Sequence, residues 1–105
     1  MKVNQRPIPE AALRDNDAVE MLRVWIAEEG LHCSLKVGMY RESTKIPEEK
    51  AWGTILADVA RHVANALQSQ YSVDADEVVG KIRESFLEEL ATPTSVARGE
   101  FVRRH

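Results

Sequence analysis

A chain of 105 residues, 44% hydrophobic and 30% charged, has the length and composition of one globular domain, which excludes a two-domain protein. Seventeen acidic against fourteen basic side chains leave a net charge of −3 at pH 7, a field that does not gather nucleic acid or anionic membrane. One cysteine, Cys33, rules out a disulfide framework and suits a reducing, cytoplasmic compartment; no stretch reads as a signal peptide or a membrane span.

In chain order, residues 1–16 carry Pro7 and Pro9 with mixed charge and read as an extended arm. From Met21 to Ala27, Leu22, Val24 and Ile26 alternate with Arg23, Trp25 and Ala27, the period of a half-buried strand. After Glu28-Glu29-Gly30, residues 31–40 alternate again, with Leu31, Cys33, Leu35, Val37 and Met39 on one face. The two strands predict a β-hairpin. Parity limits its register, because a one-residue slip turns a whole strand over. A two-residue loop at Glu29-Gly30 sets Val24 against Leu35 and Arg23 against Lys36, and a four-residue loop keeps the same parity, so the turn itself stays open.

Pro47, Glu48 and Glu49 open a long helix over about 47–71. Its apolar stripe is Trp52, Ile55, Leu56, Val59, Ala60, Val63, Ala66 and Leu67, spaced by three and four. Gly53, Ala57, Ala60 and Ala64 form a small-residue flank that another element can approach closely. Asp74 with Glu77 reads as a helix start, and a second helix follows over about 75–90 with Val78, Val79, Ile82, Phe86 and Leu90 as its stripe. Glu77, Glu84, Glu88 and Glu89 give it an acidic side. Thr92-Pro93-Thr94 ends it. Residues 95–105, basic at Arg98, Arg103 and Arg104, read as a tail that orders only when something holds it.

These segments predict an α+β domain over residues 17–94, with the apolar face of Leu22, Val24, Ile26, Cys33, Leu35 and Val37 packed on the two helices. A lone hairpin is marginal in water, so the sheet needs completion. A second chain in a homodimer is the expected solution, and an extra strand from either terminus is the competing one.

Leu22-Arg23-Val24-Trp25, Ala51-Trp52-Gly53, Leu56-Ala57-Asp58-Val59-Ala60-Arg61-His62 and Thr92-Pro93-Thr94, in this order, resemble a family of small bacterial proteins catalogued as a domain of unknown function, number 5076. The likeness covers about residues 20–94. It implies a strand pair followed by helices in a bacterial, cytoplasmic protein, and it brings no activity, cofactor or catalytic residue.

For chemistry, Asp58 and His62 are neighbours at i,i+4 with Arg61 beside them, a carboxylate–imidazole pair of the kind that prepares a base. Two groups on one helix do not make a metal site, and the commoner reading of such a pair is that Asp58 and His62 border the apolar stripe beside Ile55 and hydrogen-bond each other or the hairpin. Trp25 and Trp52 could wall a ligand pocket, but core or interface positions are commoner for indoles. Cys33 reads as inert. No nucleophile elbow, phosphate loop or metal motif is present, so catalytic residues, metal and cofactor are expected to be none. The expected function is a non-enzymatic interaction module, homodimeric and open to a protein partner; the rival is a small-molecule binder or enzyme with Trp25, Trp52, Asp58, Arg61 and His62 at its pocket.

Overall fold

A computed structural model of the chain describes residues 3–102. The elements run α1 (Glu10–Arg14), β1 (Leu22–Ala27), β2 (Gly30–Lys36), α2 (Met39–Ser43), α3 (Glu48–Tyr71), α4 (Ala75–Ala91) and β3 (Ala97–Val102). The protein is α+β, with a three-stranded mixed sheet in the order β1-β2-β3. The third strand is the C-terminal segment, which lies parallel to β2 and matches Leu35 to Phe101 and Lys36 to Val102. Of the two ways to complete the sheet, the chain therefore uses its own terminus. Arg103 and Arg104 of the basic tail lie outside the described residues.

The hairpin keeps the expected parity with a shifted turn. Val24 pairs with Cys33, Leu22 with Leu35 and Ile26 with Leu31, so the apolar faces coincide, but the loop is Glu28-Glu29 rather than Glu29-Gly30. Both turn residues have positive φ, 50° and 62°, as a type I′ turn requires. The shift also removes the like-charge pair: Arg23 lies opposite Ser34 and bonds Glu20 Oε2 at 3.0 Å. In β3, Gly99 has φ 131° and sits so close to the Cys33 carbonyl that a Cβ would overlap it. That position needs glycine.

Both helices form where periodicity puts them. Asp74 Oδ2 accepts the Glu77 N–H at 3.0 Å, the expected cap, and Ser72 closes α3 in the left-handed region at φ 58°. Ala64 of the small-residue flank is fully buried, and Gly53, Ala57 and Ala60 line a cavity of about 330 Å³ together with Val79, Ile82 and Phe86 of α4. The flank is therefore the side on which α4 lies. Burial of α4 is greatest near its turn with α3 and falls toward its far end. Ala75, Val78, Val79 and Ile82 are half-buried, whereas Phe86, Leu87 and Leu90 are 48%, 53% and 67% exposed.

One expectation is corrected. The apolar sheet face is not covered by the helices of its own chain, for Val24 is 48% and Ile26 76% exposed, and Phe101, which joins that face from β3, is 74% exposed. Among the described residues the buried apolar side chains are Ala51 and Ala64. The physical reason is that the strands pack on one another and α3 packs on α4 and α2, with little contact between sheet and helix pair, so both apolar surfaces stay open.

The Glu28-Glu29 turn yields a direct check, because non-glycine residues at positive φ cost about 1 kcal/mol or more each. Glu28→Asn with Glu29→Gly is expected to stabilise the protein by about 1 kcal/mol, raising the urea midpoint with an unchanged m-value. Gly99→Val should do the reverse and release β3, read as lost amide-exchange protection along Leu31 to Lys36.

Candidate functional site

The densest polar arrangement is built around Glu48, at the first residue of α3. Gly38 takes the left-handed conformation, φ 92°, and starts the short helix α2 with its N–H groups turned toward α3. Glu48 Oε1 accepts the N–H of Tyr40 and of Arg41, each at 3.0 Å, while Oε2 accepts the Gly38 N–H and the Trp52 indole Nε1–H, each at 3.0 Å. One carboxylate thus satisfies three backbone donors of a helix start and the only donor of an indole. The Gly38 and Arg41 N–H groups, more than the indole, hold the Glu48 carboxyl below its ordinary value of 4.5. Val37, Gly38, Arg41, Glu42, Glu49 and Trp52 surround it in an open groove of about 730 Å³. Sequence reading takes Glu48 only as a dipole-matching acid; its i,i+4 spacing to Trp52 is the one signal that could have pointed to the bond.

The five ligand-binding candidates do not gather in one site; Asp58 and Arg61 are joined, and Trp25 lies on the sheet, away from both. Trp25 pairs across the hairpin with His32, on the sheet face opposite Val24. Trp52 is fixed by Glu48. Asp58 lines a groove of about 560 Å³ with Tyr40, Lys45, Ile46 and Ile55 and its Oδ1 bonds Arg61 Nη1 at 3.0 Å. Arg61 also rims the cavity between α3 and α4. His62 is exposed. Among the described residues no group of three His, Cys, Asp or Glu side chains is placed to hold a metal ion, and no helix is long and apolar enough to cross a membrane.

Glu89, on the acidic side of α4, has a structural task. Its carboxylate accepts the Thr94 N–H at 2.9 Å and the Thr94 hydroxyl at 2.5 Å, which lowers its pKa from 4.5 and ties the end of α4 to the segment that returns as β3.

The family described as "Domain of unknown function (DUF5076)" matches residues 5–94; the chain belongs to that family. A solved structure from the photosynthetic bacterium Rhodopseudomonas palustrus CGA009, provisionally described as a pyruvate dehydrogenase, is similar at 29% identity and a TM-score of 0.65, covering 99% of this chain and 97% of that one. A search of curated proteins gives no significant match. The dehydrogenase description stays with that protein.

Because the Glu48 carboxyl is depressed in the folded state, its contribution to stability is complete above 4.5 and is lost as pH falls through the lower folded value. The Trp52 indole N–H resonance should therefore titrate with a midpoint below 4.5 and become pH-independent there in Glu48→Gln. A midpoint at or above 4.5 would show that the carboxylate does not hold the groove together in solution.

Proposed function

We propose that this chain is a homodimeric, non-enzymatic protein-interaction module of the cytoplasm. The observation that carries the reading is surface area. A compact monomer of 11.8 kDa exposes about 5,900 Å², whereas this protomer exposes 9362 Å², an excess of roughly 3,500 Å² over that scaling. Its radius of gyration, 15.6 Å, likewise exceeds the approximately 13 Å of a compact chain of this length. Obligate dimers bury about 1,000 to 2,500 Å² per subunit, so the excess is large enough to supply an interface of that class.

A single partner of that size still leaves apolar surface to spare. The sheet face of Leu22, Val24, Ile26, Leu31, Cys33, Leu35 and Phe101 contains no charged residue, and apolar patches of several hundred Å² on a soluble protein mark binding surfaces. We assign that face to another protein. The lone Cys33, half-buried, suits a reducing compartment.

Light scattering across concentration tests the core of this reading. A mass of twice 11.8 kDa, with a thermal midpoint that rises with protein concentration, is expected. A monomer persisting from micromolar to millimolar protein refutes it.

A further inference from the structure

We infer that the open fork between α3 and α4 is closed by the same fork of a second copy, so that two helices from each chain form a four-helix core about a two-fold axis. The inference rests on the dimer reading above and specifies where the two copies meet.

The fork has the parts of half a bundle. Its helices span 24 and 17 residues and are joined by the three residues Ser72, Val73 and Asp74, the short connection of antiparallel bundle neighbours. A two-helix pair cannot bury both of its stripes, and this one leaves Leu56, Val59 and Val63 of α3 at 40%, 47% and 42% exposure. Phe86 lines both the 330 Å³ cavity inside the fork and the groove of about 620 Å³ on the other side of α4, with Leu67, Val78 and Ile82. The cavity is almost wholly apolar, with Arg61 and Arg83 alone bringing charge to its rim. A space of that kind is filled by apolar side chains, since its lining offers water few partners.

Three of the chain's own described segments are committed elsewhere. β3 is zipped to β2, the N-terminal arm from Asn4 to Pro9 lies against the β1 edge at Leu22 to Trp25, and α2 is bound to Glu48. A second copy brings a surface of matching chemistry and length, and the area that the protomer leaves exposed is enough for an obligate isologous interface.

Sedimentation equilibrium of the full chain and three variants separates the possibilities. Phe86→Asp places a carboxylate in the proposed seam and is expected to weaken dimerisation at least about a hundredfold. Ile26→Asp, on the sheet face, is expected to change the dimer constant by less than about threefold. Ala57→Leu covers the chance that Phe86→Asp simply unfolds. In a seam packed by the partner the added leucine over-packs and should weaken dimerisation about tenfold, whereas in a vacant fork it fills space, leaves association unchanged and raises the thermal midpoint. A wild-type dimer that tolerates Phe86→Asp, or that Ile26→Asp dissociates, overturns the helical seam and leaves the dimer reading standing. A wild-type chain that is monomeric throughout overturns the dimer reading itself.

Discussion

The Glu48 carboxylate sits where the two halves of the protomer join, and its four hydrogen bonds set their relation. By accepting from Gly38, Tyr40 and Arg41 it fixes the start of α2, the segment that leaves the sheet. By accepting from Trp52 it ties that segment to the second turn of α3. A carboxylate with this many donors has its hydrogen-bonding sites taken by protein, so it serves as a polar joint beside the buried Ala51. Beyond that joint the sheet packs little against the helix pair. Both apolar surfaces are left outward as a consequence.

That arrangement gives the molecule its unusual energetics. A domain of this size is stable through burial of apolar area against the entropy of ordering the chain, and a protomer whose buried apolar side chains, among the described residues, are two alanines buries little. Its local elements are well made: an Asp cap, a left-handed Ser72 stop, a two-residue hairpin turn and a Glu89–Thr94 clasp. The Asp74 cap contributes on the order of 1 kcal/mol, while the turn and the Ser72 stop hold non-glycine residues at positive φ at a cost; such devices sharpen element boundaries but do not replace a core. Association would supply the missing burial, and folding would then be coupled to it.

Much of the architecture is legible from residue order alone because it depends on short-range periodicity. The period of two over Leu22 to Ala27 and Leu31 to Lys36 fixes which strand faces are apolar, and the three-and-four spacing from Trp52 to Leu67 fixes the α3 stripe. The small-residue flank ending at the buried Ala64 marks where α4 lies. The turn was shifted because two glutamates accept positive φ, a choice that propensity disfavours and that the pairing of Ile26 with Leu31 and Leu22 with Leu35 favours. β3 was hidden because Ala97 to Val102 contains charge and a glycine, and its strand character comes from pairing with β2. The candidate cluster Asp58, Arg61 and His62 follows from helical spacing, but spacing cannot tell which neighbour a side chain bonds, and Asp58 takes Arg61.

The amino-acid order by itself determined the class of the domain, the strand parity, the extent of both helices and the cap at Asp74, since each is set by residues within a few positions of one another. Only the tertiary structure decided that the C-terminal segment completes the sheet, that Glu48 gathers donors from Gly38 to Trp52, and that the sheet leaves its apolar face uncovered. Those outcomes depend on which distant segments meet in space, and such a meeting has no period along the chain.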